Sequence, residues 1–197
     1  MKGIDMILRM AKENNGVITA AMVTQSGISR GNLKYLADSG KLERSARGVY
    51  MLPNVWDDEL FNLQSRFKRG IYSGETALFL WDLTDRTPNY YSMTFPYSYN
   101  LANVKTNKIK CLTNIESLYS IGVTEVKTPS GNFVKVYNRE RTLCDILRKG
   151  SRTDIQIVTE AFKRYVKQSE KNIPLFSEYA AIFKVEKKVR SYLEVLL

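Results

Sequence analysis

Apolar residues recur at Ile4, Ile7, Leu8 and Ala11, a period close to 3.6 that predicts an amphipathic helix from Met1 to Asn14. Lys2, Asp5, Arg9, Lys12 and Glu13 fill its polar faces, and Asn14-Asn15-Gly16 supplies residues that end a helix in the left-handed conformation. Val17-Ile18 reads as a short extended link. Thr19 is a good N-cap, because its hydroxyl can accept a bond from a free backbone N–H one turn in, and it opens a helix to about Gln25. Ser26-Gly27 turns the chain, and Ser29 is expected to cap a second helix from Arg30 to Ser39. That helix places Leu33, Leu36 and Ala37 on one face and Gly31, Lys34, Tyr35 and Asp38 on the other, and Gly40 stops it. Residues 41–44 and 49–52 then read as two short strands joined by Ser45-Ala46-Arg47-Gly48.

The pattern changes at Asp57. Three carboxylates, Asp57, Asp58 and Glu59, crowd a helix start where they complement its positive end, and Leu60, Leu63 and Phe67 line the inner face. A helix from Thr76 to Leu83 is apolar nearly all round and therefore core. Residues 90–95 alternate with aromatic and β-branched side chains, predicting a strand that ends at Pro96. Residues 97–108 read as polar loop. Strands follow at 108–112, 122–127 and 132–137, with a helical turn at 116–121 and a Pro-Ser-Gly turn at 129–131. The last third is helical: 139–148, 153–168, 174–183 and 185–197. The expected architecture is α+β, with a winged helix-turn-helix domain at 1–56 and a mixed α/β C-terminal domain at 57–197 that ends in helices.

Composition narrows the chemistry. Hydrophobic residues at 44% suffice for a core, and 30 Lys+Arg against 20 Asp+Glu give a net charge of +10, which favours a polyanionic partner. The excess sits at the two ends. Residues 1–56 carry eight basic and four acidic side chains, 57–138 nine and eight, and 139–197 thirteen and eight. The chain has no histidine, which removes His-ligated zinc, Ser-His-Asp and Cys-His catalysis together. Cys111 and Cys144 form no CxxC pattern and read as buried thiols of a reducing cytosol. No apolar run reaches the roughly 18 residues of a spanning helix, and the charged N-terminal helix lacks a signal-peptide core, so the expectation is a cytoplasmic protein without membrane contact.

In a winged helix-turn-helix, the second helix of the pair lies in the major groove. The candidate contacts are Ser29, Arg30, Asn32, Lys34 and Tyr35, since Arg pairs with guanine, Asn with adenine, and Ser or Lys with phosphate. Arg44 and Arg47 at the wing tip suit backbone or minor-groove contact. The alternative at the head is a tri-helical protein-binding domain with solvated basic residues. A second basic face (Arg148, Lys149, Arg152, Lys163, Arg164 and Lys167) would extend the DNA surface, or be an ordinary solvated helix face.

Enzyme chemistry finds little support. Gly150-Ser151 with Asp154 resembles the start of a nucleotidyltransferase signature, but Gln156 stands where a second metal-binding acid is needed, so Ser151 or Thr153 reads as a helix cap. Asp82 and Asp85 read as a capped turn, no phosphate-cradling glycine motif occurs, and neither metal nor cofactor is expected. A nuclease or nucleotidyltransferase with a DNA-binding head remains the rival class. The aromatic group Tyr90, Tyr91, Phe95, Tyr97 and Tyr99 could stack single-stranded bases, although strand packing accounts for it more simply.

Residues Leu36, Gly40, Leu42, Arg44, Arg47, Gly48, Val49 and Tyr50 form the pattern L-x-x-x-G-x-L-x-R-x-x-R-G-V-Y. With this pattern, the segment 27–53 resembles the winged helix of AbiEi-type antitoxins, the regulator half of type IV toxin–antitoxin (abortive infection) systems. The stretches Tyr72–Ala77 and Val136–Asp145 look like further landmarks of that family. The resemblance implies a head that binds inverted repeats in duplex DNA upstream of its own operon and represses it. It also implies a C-terminal domain that counters a nucleotidyltransferase-like toxin without a stable complex.

Overall fold

The computed structural model describes residues 2–105 and 109–196; Met1, Lys108 and Leu197, which the sequence places at element ends, lie outside them. The chain is α+β and divides into two compact units, residues 1–68 with 127–134, and residues 69–126 with 135–197.

The first unit opens with α1 (Lys2–Glu13), β1 (Val17–Thr19), α2 (Ala20–Gln25) and α3 (Gly31–Asp38). The hairpin β2 (Glu43–Ala46) and β3 (Val49–Met51) follows, and then α4 (Glu59–Arg66). Ile7, Ala11, Ile18, Val23, Leu33, Leu36 and Leu42 form one buried cluster, so the helical period of α1 and α3 does define the inner face. The Val17-Ile18 link is more than a connector. Three consecutive β-branched residues pair antiparallel with β3, Ile18 opposite Tyr50, giving the sheet order β1-β3-β2. Thr19 caps α2 as expected, accepting from the Met22 N–H at 3.2 Å.

Ser29 caps the start of α3 as expected: its hydroxyl accepts from the Gly31 N–H at 3.3 Å, while Arg30, which already has helical backbone angles (φ −61°, ψ −21°), makes no side-chain cap bond. The strand expected at 41–44 runs two residues later, because the Lys41 and Leu42 N–H groups are engaged by the Leu36 carbonyl at the end of α3. The turn sits at Arg47-Gly48, where Gly48 takes φ +78°, a conformation costly for a residue with a Cβ.

Asp58 joins two distant segments of this unit. Its buried carboxylate caps α4 by accepting from the Phe61 N–H at 3.0 Å, and also accepts from the Thr128 hydroxyl (2.5 Å) and the Asn132 side-chain amide (2.9 Å). Asp58→Ala removes a cap and strands two buried donors, and should cost about 2–3 kcal/mol. Hydrogen exchange across 127–134 should accelerate accordingly. Unchanged protection there would show that the turn holds without Asp58.

The second unit contains β4 (Ile71–Tyr72), α5 (Gly74–Leu80), β5 (Tyr91–Pro96), α6 (Ala102–Lys105), β6 (Ile109–Asn114) and α7 (Glu116–Tyr119). The strands β7 (Val123–Lys127) and β8 (Phe133–Tyr137) follow, then α8 (Arg139–Leu147), α9 (Ile155–Lys167), α10 (Ile173–Ile182) and α11 (Glu186–Leu196). The strands order as β6-β5-β4-β8-β7, with β4–β5 antiparallel and both β5–β6 and β4–β8 parallel. Two-residue β4 stands at the sheet centre, and it is too short for its alternation to be read from sequence. The helices share a core that includes Leu78, Leu143, Phe162, Tyr165 and Phe176.

Capping differs from expectation at α9. Asp154, not Ser151 or Thr153, is the N-cap and accepts from the Gln156 N–H at 2.7 Å; a carboxylate serves the positive helix end better than a hydroxyl. Cys144 is fully buried and its thiol is pushed up to about 12, chiefly by desolvation, whereas Cys111 is only half-buried.

Candidate nucleic-acid interface

The exposed side of α3 consists of Gly31, Lys34, Tyr35 and Asp38, spaced so that they form one stripe. Tyr35 is 56% exposed, large for an aromatic ring. The other sequence-predicted residues sit differently. Arg30 is exposed, but its Nε donates to the Thr24 hydroxyl at 2.6 Å, which ties it to α2. Asn32 is half-buried and turns toward α1, where a Cβ built on Gly3 would lie 3.2 Å from its amide nitrogen. Ser29 is exposed just ahead of the helix.

On the hairpin, Arg44 lies opposite Tyr50, and a bulge between Arg44 and Ala46 displaces Ser45 from the ladder. The Ser45 hydroxyl donates to the Asp57 carboxylate, and the Asn62 amide donates to both, which anchors the bulge. Arg47 is exposed in the turn. Lys34, Lys41, Arg44 and Arg47 have no ion pair among the described residues, so their charges are free for an outside anion. Lys41 was not singled out in the sequence, because nothing in its spacing separates it from other surface lysines.

Residues 5–53 match the family model described as "Transcriptional regulator, AbiEi antitoxin". This AbiEi match covers the helices and hairpin just described, in agreement with the resemblance carried by Leu36 to Tyr50. The stretches 72–77 and 136–145 lie outside it. No curated protein sequence matches the chain. Among solved structures, the crystal structure of the RV2827C protein from Mycobacterium tuberculosis is similar, with a TM-score of 0.53 at 14% identity, covering 90% of this chain and 72% of that one. At that identity the likeness concerns the fold alone.

Behind the AbiEi-matched segment, the six basic residues of the C-terminal set divide. Arg164 pairs with Asp85 and Glu160, and the Arg164 guanidinium holds the Asp85 carboxyl below its ordinary range. Arg148 donates to Asp145 and Asn114, both at 3.3 Å. Lys163 and Lys167 are exposed on α9, and Lys149 and Arg152 are exposed in the loop before it. Asp82 and Asp85 do not act together, since the Asp82 carbonyl and the Asp85 carboxylate both receive Arg164. The aromatic group also divides. Phe95 is buried and stacks on Tyr99 (centroids 4.8 Å apart), whereas Tyr90 and Tyr97 are exposed. No described helix is long and apolar enough to cross a membrane.

Proposed function

We propose that residues 1–56 form a winged helix-turn-helix that reads duplex operator DNA at inverted repeats and represses the chain's own operon. The observation that carries this reading is the set of unpaired cations, Lys34, Arg44 and Arg47, on one exposed helix and its adjoining hairpin, within a segment that matches a regulator family. In this reading α3 enters the major groove, with Ser29, Arg30, Asn32, Lys34 and Tyr35 as its contact set. Lys34 and Tyr35 contribute most, because they alone are both exposed and unrestrained. The β2–β3 hairpin is the wing, and Arg44 and Arg47 hold phosphates or the minor groove. Lys163 and Lys167 add phosphate contacts from the C-terminal domain at 57–197. That domain counteracts a nucleotidyltransferase-like toxin without a stable complex and without catalysis of its own, and the protein works in the cytoplasm.

The test is fluorescence anisotropy with the upstream region as probe. Wild type should show a sequence-preferring, saturable complex. Arg44→Ala/Arg47→Ala should weaken it about 10- to 100-fold on all sequences alike, whereas Lys34→Ala and Tyr35→Ala should also relax the preference. A wild-type protein that binds the upstream region no better than unrelated duplex would refute the reading.

A further inference from the structure

The second unit contains a cavity of about 410 Å³ between one face of the sheet and the loop that follows α8. Its floor is built by register. Ser92 pairs with Lys110 and Thr94 with Leu112 on the parallel strands β5 and β6, so these four side chains and Asn114 share one face. Over this floor stand Glu75 from the first turn of α5, Asp145 and Arg148 at the end of α8, and the loop 149–153, of sequence Lys-Gly-Ser-Arg-Thr.

Charge and chemistry across the cavity are uneven. Lys110, Lys149 and Arg152 have no ion pair among the described residues, although all three line the same space. Arg148 is fixed in place, its Nη1 held between Asn114 and Asp145, and Asp145 itself is occupied by Arg141 at 2.8 Å. Asp145 therefore does not cancel the free cations, and Glu75 offsets only one of the three. Hydroxyls of Ser92, Ser151 and Thr153 add neutral donors, Leu112 offers an apolar ledge at 43% exposure, and Glu75 is an acceptor suited to hydroxyl or amino groups. A group of cations beside hydroxyls fits a phosphate, and the ledge with Glu75 and Asn114 fits a sugar and a flat polar ring.

We propose that this cavity is a binding site for a free nucleoside phosphate. The volume lies within the range of small-ligand pockets, roughly 300–1,000 Å³, and accommodates a mononucleotide rather than a strand. Lys149 and Arg152 grip the phosphates, Arg148 is the preorganised donor beside them, and Lys110 closes the charge from the sheet. The site assigns Lys149 and Arg152 to a ligand other than operator DNA, and it stands whether or not the head reads DNA.

Isothermal titration of the full chain with ATP, AMP, adenosine and inorganic pyrophosphate tests this. A nucleotide should bind saturably at one site, more tightly than adenosine or pyrophosphate. Lys149→Ala/Arg152→Ala should weaken it at least about tenfold, because two charge-assisted contacts are lost. The charge-matched control Lys187→Ala/Arg190→Ala, on the exposed side of α11, should leave it unchanged. Both double variants alter exposed side chains, and matching circular dichroism and unfolding midpoints would show that folding is not the cause. The proposal fails if neither nucleotide binds at millimolar concentration, if pyrophosphate binds as well as ATP, or if the two double variants behave alike. It also fails if Lys149→Ala/Arg152→Ala weakens duplex binding while leaving nucleotide binding intact.

Discussion

Arg141→Ala should destabilise the second unit by about 3–5 kcal/mol, the usual cost of leaving the partners of a buried charge unpaired. The Arg141 side chain is 0% exposed. Its Nε donates to Asp145 at 2.8 Å, and its Nη1 donates to the carbonyls of Leu118 (2.8 Å) and Ile121 (3.3 Å). The guanidinium also lies over the rings of Phe183 and Tyr137, at 3.8 and 4.4 Å from their centroids. One side chain thus joins α8, α7 with the segment after it, and the end of α10. Gly122 makes room for it: a Cβ there would come within 2.9 Å of the Arg141 Cβ, and the backbone is at φ +72°. Alanine would leave two carbonyls without these donors and a mostly buried carboxylate with only the longer Arg148 contact at 3.3 Å. Arg141→Lys should recover only part of the loss, since an ammonium cannot reproduce the planar fork. Urea unfolding followed by tryptophan fluorescence is the measurement. Trp81 reports on this unit, half-buried and hydrogen-bonded to the Tyr137 carbonyl, while Trp56 is 89% exposed and contributes little change. A loss below about 1 kcal/mol would mean that the site relaxes around the missing group.

Salt should weaken operator binding steeply. Each neutralised phosphate contributes a slope of about −0.9 in log affinity against log salt. Four contacts, from Lys34, Lys41, Arg44 and Arg47, predict a loss of about 10²-fold between roughly 50 and 200 mM salt. If two copies occupy an inverted repeat, eight contacts predict a loss of about 10⁴-fold over the same interval. The slope therefore measures how many heads engage as well as whether they do. Replacing any one of these four residues by alanine should flatten the slope by about one unit per head bound. A slope near zero would be incompatible with phosphate contact by this surface.

Much of the head was legible because its signals are local. The helical period at Ile4, Ile7, Leu8 and Ala11, the Thr19 cap and the glycine at 48 each act within one turn of chain, and the structure uses each of them. The position of β2 was not legible, because it depends on the Leu36 carbonyl holding the Lys41 and Leu42 amides. Asn32 illustrates the same limit at the candidate site. As an amide in the second helix of the pair it reads as a base contact in the sequence, whereas its orientation toward α1 is set by packing that the sequence does not display.

In the second unit the balance shifts toward tertiary decisions. Periodicity identified the helices and most strands, since burial on one face leaves a mark at every third or second residue. It carried no trace of β4, whose two residues gain their place only from neighbours on both sides. Nor could it separate the basic residues of the C-terminal third. Sequence determined that there is a surplus of positive charge at both ends of the chain and that no histidine chemistry is possible. Only the fold decided which cations are spent: Arg141 is buried and Arg164 is paired, whereas Lys149 and Arg152 remain open beside a cavity. The physical reason is distance. Composition fixes the number of charges, but an ion pair between residues 85 and 164 exists only once packing has brought them within reach.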